Sequence, residues 1–193
     1  MRAPSRLGTA LRPNTMVLGF LKEWTTLEAS NVQSYVQVIG DAFDLNMGVM
    51  IMRNVESLPL RPDGSALKGS SPPVGTIDVY WLSDDGGLSV LIPYLITQHQ
   101  FWSKVTLRVL TRTDPQRADE MEMEMARVAS LLNKFRIQAE VVLLPDVDKP
   151  PTQTAIHEFE TRFGTKATAR AQQYIRIGET VRSMSLGSKL VFC

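Results

Sequence analysis

The sequence predicts an α/β fold, a mostly parallel, doubly wound sheet with helices on both faces. Three observations predict it. Short apolar runs without polar alternation recur along the chain, as in strands buried on both faces. Segments of helical period separate most of them, and strand–helix alternation builds parallel sheets. At 193 residues and 44% hydrophobic content, one domain of this size buries roughly 70% of its unfolded surface.

The first 13 residues hold Arg2, Arg6 and Arg12 and no acid. They read as a solvated basic arm. Thr15-Met16-Val17-Leu18-Gly19-Phe20 is the first strand. Ser30 and Gln33 match a capping box, and Val32, Tyr35, Val36, Ile39 and Phe43 follow as one helical face. Asn46 and Gly48 are the stop signal, and Val49-Met50-Ile51-Met52 the second strand. Residues 54–74 are proline-rich and read as one long loop of about 20 residues. Its Ser71-Pro72 reads as surface loop rather than a phosphorylation site.

Thr76-Ile77-Asp78-Val79-Tyr80-Trp81-Leu82 is β-branched and aromatic, hence a third strand. A turn at Ser83-Asp84-Asp85-Gly86-Gly87 leads to a helix with Leu88, Leu91, Ile92, Leu95 and Ile96 on one side, reaching Trp102. Pro93 must kink that helix or sit where its missing N–H is tolerated. Val105 to Leu110 is the fourth strand. Asp114-Pro115 starts a helix whose apolar set is Ala118, Met121, Met125, Val128, Leu132 and Phe135, with Met123 off that face. Ala139 to Leu144 is the fifth strand. Thr152 caps a helix bearing Ile156, Phe159 and Phe163, which stops at Gly164. A last helix carries Ala171, Tyr174, Ile175, Gly178 and Val181 and stops near Gly187. Leu190-Val191-Phe192 begins a sixth strand. Right-handed crossovers make this a Rossmann-like or universal-stress-like architecture. A chain stopping inside an apolar strand reads as a fragment.

Composition excludes several function classes. Lys and Arg number 21 against 20 Asp and Glu, net +1, so no nucleic-acid footprint is expected. Cys193 is the lone cysteine, which rules out an internal disulfide or a multi-cysteine metal site. No run approaches the roughly 20 apolar residues of a membrane helix, and no secretory signal opens the chain.

Chemistry-bearing motifs are sparse. The first strand–helix junction has only Gly19 where a dinucleotide fingerprint needs three glycines. Lys68-Gly69-Ser70 lacks a preceding strand, so it is no P-loop. Gly86-Gly87 lies at a strand–helix turn, but Asp84 and Asp85 would repel phosphate. As an Mg²⁺ pair those two carboxylates splay apart. His99 and His157 have no second ligand at helical spacing. No nucleophile, base and oxyanion set assembles. The residues thus predict a non-enzymatic domain, with no catalytic, cofactor-binding or metal residues and no cofactor.

Three stretches resemble the cation-chloride cotransporters, the electroneutral sodium-potassium-chloride, sodium-chloride and potassium-chloride carriers. They are Leu11 to Phe20, the run from Gly75 through Asp84-Asp85-Gly86-Gly87 to Leu91-Ile92-Pro93-Tyr94-Leu95, and Leu131-Leu132-Asn133-Lys134-Phe135-Arg136-Ile137. Weaker likenesses are Asp41-Ala42-Phe43-Asp44 and Tyr174 to Glu179. The resemblance implies the large cytosolic carboxy-terminal regulatory domain of such a carrier. Residues 14–193 would be its central and later part, without the ion pathway. It implies a homodimer through this domain, contact with the membrane domain of the same carrier and a place on the cytoplasmic side of the plasma membrane. Regulatory kinases are expected to act on the parent. Gly19-Phe20 and Asp84-Asp85 lean to the sodium-dependent branch, while Gln98-His99 with Trp102 and Ala139-Glu140-Val141 look like the potassium-chloride branch. The last helix, with Tyr174, Ile175 and Ile177 spread around it, is the candidate dimer surface. Around it lie Lys166, Arg170, Arg176, Arg182 and Lys189 against Glu179. The alternative reading is a small soluble nucleotide-binding protein of universal-stress type, with ligand turns at Gly19, Ser83 and Thr111.

Overall fold

The computed structural model describes residues 13–24, 26–54, 58, 68–82, 88–112, 121–144, 147 and 149–193. The chain divides into two compact units, Met1–Lys68 and Gly69–Cys193. But for Pro13, the expected basic arm lies outside the described residues, as do most of the loop at 54–74, the turn Ser83–Gly87 and the Asp114-Pro115 cap.

The first unit is a strand–helix–strand element. Strand β1 (Thr15–Gly19) and strand β2 (Gly48–Met52) pair in parallel, Thr15 opposite Gly48 and Gly19 opposite Met52. Helix α1 (Ala29–Asp44) joins them. It starts at Ala29, with Glu28 rather than Ser30 at the N-cap and no side-chain cap bond, so the capping box does not form. Ser30 sits in the first turn, where its carbonyl accepts the Ser34 hydroxyl at 2.9 Å. The stop at Asn46 does form. Asn46 takes φ 55°, and Met47 N–H donates to the Ala42 carbonyl at 2.9 Å, the left-handed ending such residues favour.

The buried stripe of α1 is Val32, Tyr35, Ile39 and Ala42. Val36 and Phe43, expected on it, are 59% and 61% exposed. Ala42 lets the helix approach the pleated strands closely, where Phe43 would hold it away. The Tyr35 hydroxyl donates to the Gly19 carbonyl at 3.0 Å and fixes that approach. Val17 and Ile51 are exposed, so within this unit the strands are not covered on both faces. A two-stranded sheet under one helix cannot do that.

The second unit is a four-stranded parallel sheet of order β5-β4-β3-β6. Its strands are β3 (Gly75–Trp81), β4 (Val105–Thr111), β5 (Glu140–Leu143) and β6 (Leu190–Phe192). The helices are α2 (Leu88–Thr97), α3 (Met121–Lys134), α4 (Gln153–Phe163) and α5 (Ala169–Met184). From β3 the chain steps to β4 and β5, then returns to the far side of β3. Right-handed crossovers therefore put α2 and α3 on one face and α5 on the other. This is the doubly wound arrangement the alternation predicts.

The helix faces shift from their expected settings. In α2 the buried residues are Val90 and Pro93, while Leu91 and Leu95 are 45% and 57% exposed. Pro93 stands inside the helix and replaces an N–H with a ring that packs in the core. The helix stops at Thr97, short of Trp102. A separate 3-10 turn, Gln100–Trp102, follows, and His99 caps it by accepting the Phe101 N–H at 3.2 Å. In α3, Val128 and Leu132 are buried and Met123 is 68% exposed, as the period predicts. Phe135 is 67% exposed, against expectation. The chain reverses at Arg136, φ 57°, and Ile137 turns into the core instead, its N–H bonding the Leu132 carbonyl at 2.9 Å.

Helix α4 begins and ends where the sequence places it. Thr152 accepts the Ala155 N–H at 3.3 Å, and Gly164 closes the helix at φ 65°. Yet none of its residues is buried. Helix α5 is capped by Thr168 and ends at Met184, ahead of Gly187. Its core contacts are Ile177, Val181 and Met184, packed on Tyr80, Leu110, Leu144 and Val147. Tyr174 is 60% exposed, so the expected face lies beside the true one.

Candidate functional site

The most concentrated chemistry lies on the α5 face of the sheet. Alternation puts Thr76, Asp78 and Tyr80 of β3 on that face, with Arg108 in register beside Asp78 on β4. Asp78 is fully buried. Arg108 grips it with both ends of the guanidinium, Nε to Oδ1 at 2.8 Å and Nη2 to Oδ2 at 2.6 Å. The hydroxyls of Ser185 and Ser188, just after α5, both donate to Asp78 Oδ2. Their protons being committed, the Tyr80 hydroxyl donates to Ser185 Oγ at 2.8 Å and Thr76 to Ser188 Oγ at 3.0 Å. Arg108 Nη2 also reaches the Met184 carbonyl at 3.2 Å.

Burial works against a charge on Asp78, but the Arg108 guanidinium and the hydroxyls of Ser185 and Ser188 together hold its carboxyl below the usual range. The Asp78 carboxylate in turn raises the Arg108 pKa against burial. Burial pushes the Tyr80 phenol up, opposed by its bond to Ser185 and helped by the Asp78 charge. Every polar group here is committed to another. The cluster is thus a fastening, with no nucleophile or base left over.

This yields a pH prediction. Between the lowered folded value and the unfolded one near 3.9, the unfolded chain binds more protons at Asp78, so stability rises with pH there. The contribution is whole above about pH 4 and disappears as pH falls through the folded value. Asp78→Asn is expected to flatten that acid limb in unfolding curves taken from pH 5 down to 2. An unchanged limb would place the acid sensitivity elsewhere.

The residues weighed as sites from the sequence take the following settings. His157 is exposed, and His99 is engaged as a cap. Cys193 is a free, exposed thiol. Ser71 is exposed. Gly19 belongs to the first unit and Thr111 is buried. Ser83, Asp84, Asp85, Gly86 and Gly87 lie outside the described residues. Among the described residues no three His, Cys, Asp or Glu side chains gather as a metal site. A cleft of about 770 Å³ opens at the amino ends of β4 and β5, walled by Tyr94, Gln98, Arg136, Gln138 and Glu140. Open α/β sheets bind ligands beyond the carboxyl ends of their strands, so this cleft is at the wrong end for a nucleotide.

The candidate dimer surface, on α5, is half exposed, and so is its neighbour α4. The Phe159 and Phe163 rings lie 4.7 Å apart along α4, tilted by 44°, and Arg170 lies 5.8 Å from the Tyr174 ring on α5. The basic character expected there is partly neutralised. Lys166 pairs with Glu160 at 2.9 Å and Arg176 with Glu179 at 3.3 Å. Glu179 also accepts the Thr152 hydroxyl and backbone N–H, tying α4 to α5. Among the described residues no helix is long and apolar enough to cross a membrane.

In the sequence Asp78 is one residue of an apolar strand, and Arg108 likewise carries no motif. A lone charge of each sign inside two apolar strands was the available signal. The family model of solute carrier family 12 matches residues 6–66 and 64–180. The member 3 carrier of Mus musculus is 37% identical over 166 residues, covering 78% of this chain. The Homo sapiens member 3 is 33% identical over 183 residues, also 78% of the chain. Member 2 of Danio rerio is 28% identical over 228 residues, 77% of the chain. This chain spans 16%, 18% and 20% of those relatives' lengths. The likeness runs through both units, and the chain belongs to solute carrier family 12, the cation-chloride cotransporters.

Proposed function

We propose that the chain is a regulatory and dimerisation domain of an electroneutral cation-chloride cotransporter. It acts on the cytoplasmic side of the plasma membrane as part of a multi-pass carrier. It controls coupled movement of Na⁺ or K⁺ with Cl⁻ without containing the ion pathway. The observation that carries this reading is the family match along both units of a chain whose described helices are too short or too polar to span a bilayer. Gly19-Phe20 favours the sodium-dependent branch. Residues 1–13 and 54–74 are taken as a solvated arm and loop around the α/β body of residues 14–193. Its partners would be a second copy and the membrane domain of the same carrier, with kinases acting on the parent.

The dimer contact is assigned to α4 and α5. Half-exposed Ile156 and Phe159 and exposed Phe163 and Tyr174 offer apolar area, and the paired charges around them form a polar rim, the usual anatomy of an interface. The chain is expected to self-associate weakly, with a dissociation constant on the order of micromolar or above. A concentration series by light scattering checks this. Phe163→Glu with Tyr174→Glu should leave a monomer at every concentration. Monomer alone in the unaltered chain, well above micromolar, would remove the dimerisation role.

A further inference from the structure

We propose that the cleft at the amino ends of β4 and β5 is a docking site for a peptide segment carrying an acidic and an apolar side chain, with Arg136 taking the acid. The cleft measures about 770 Å³, within the usual range of ligand sites, about 300–1,000 Å³. Its walls come from the end of α2, the start of β4 and the turn between α3 and β5. Helices α4 and α5 supply none of them, so the site is separate from the dimer contact assigned above. Most of the wall is neutral and hydrogen-bonding: Thr97, Gln98, Ser103, Thr106 and Gln138. Side-chain amides and hydroxyls both donate and accept, as a peptide backbone requires.

Arg136 stands in this wall at a cost. It takes φ 57° where the end of α3 reverses, its N–H bonding the Asn133 carbonyl at 2.9 Å. That position favours glycine, because a Cβ there crowds the backbone. The guanidinium returns nothing to the fold, since it makes no hydrogen bond or ion pair among the described residues. A residue in a strained conformation, with an idle charge in a polar cleft, points to a ligand. A planar guanidinium matches a carboxylate in two parallel bonds. Lys104 and Lys134, exposed beside the wall, also lack an ion pair among the described residues. Glu140 is the acid of the wall, so the charge around the mouth is positive on balance and suits an acidic partner. The apolar side chain has a place too. Leu91, Leu95 and Gln98 share one face of α2 at helical spacing, and Phe135 adjoins Arg136. All three apolar residues are exposed, although the helical period places them inward, and exposed apolar groups beside a polar cleft are anchors for a partner.

Fluorescence anisotropy on the whole chain tests this with labelled synthetic peptides of alternating Glu and Leu, beside versions with Gln or Lys in place of Glu. The expected result is saturable binding of the Glu peptide at micromolar concentrations. The Gln peptide should bind about tenfold more weakly, and added salt should weaken the Glu peptide. Arg136→Gly is expected to lower binding about tenfold while the melting temperature holds or rises, because glycine suits φ 57°. Amide shifts on titration should centre on residues 94–98, 103–107 and 136–140. No binding of the Glu peptide, equal binding of all three peptides, or full binding by Arg136→Gly would overturn the proposal. So would lost binding together with a lower melting temperature, which would make Arg136 a residue of the fold alone. Binding to phosphatidylserine vesicles with none to the peptide would make the surface a lipid contact and overturn it as well.

Discussion

Asp78→Ala lowers the unfolding free energy by about 3 kcal/mol, seen as a drop in the urea midpoint at constant slope. The substitution removes an anion that Arg108 grips at 2.6 and 2.8 Å. It leaves a guanidinium only 21% exposed in its side chain, and two serine hydroxyls without their acceptor. Deleting one partner of a buried pair costs about 3–5 kcal/mol, because the other charge stays desolvated. The partial exposure of Arg108 sets the expectation at the lower end. Replacing both partners, Asp78→Leu with Arg108→Met, is expected to recover most of the loss, since apolar residues of similar size remove the desolvation cost with the bond. The four-way cycle then yields a coupling of about 2 kcal/mol. A loss below about 1 kcal/mol for Asp78→Ala would mean that water reaches Arg108 and replaces the carboxylate.

Leu110→Ala costs about 3 kcal/mol, while Leu95→Ala costs under about 0.5 kcal/mol. Both are leucines in apolar segments, and the sequence places both in the core. Leu110 is fully buried against Tyr80, Leu144 and Val147. Truncating it removes apolar contacts and leaves a cavity that rigid strands close poorly. Leu95 is 57% exposed, so its methyl groups have little burial to lose. Thermal or urea unfolding of the two variants side by side separates them. Equal losses would mean that α2 is rotated from the orientation described, with Leu95 inward.

Much of the fold was legible because its signals are local. The strand from Thr76 to Trp81 is β-branched and aromatic whatever surrounds it. Thr152, Gly164 and Asn46 mark helix ends by hydrogen bonds and backbone angles reaching only a few residues. Helix faces were legible only to within a rotation. Phe43, Phe135, Leu95 and Tyr174 keep the helical period but stand beside the buried stripe, since each helix carries more apolar residues than one contact uses. The smaller Ala42 won over Phe43 because the strands approach that closely. Ile137 won over Phe135 because the left-handed turn at Arg136 redirects the chain.

The candidate site was scarcely legible at all. Asp78 and Arg108 are separated by a helix, and their pairing depends on β3 and β4 lying side by side in one register. Ser185 and Ser188 are ordinary turn serines until α5 crosses the opposite face and delivers them to the same carboxylate.

The sequence by itself determined a parallel α/β chain of balanced charge and its membership among the cotransporters. These rest on composition, short-range periodicity and contiguous motifs, which need no third dimension. Tertiary structure decided the strand order, the face each helix buries and the joining of one buried carboxylate to Arg108, Ser185 and Ser188. The physical reason is that a charge survives burial only where distant segments bring it compensating donors, and their meeting is a property of topology, which no window of sequence contains.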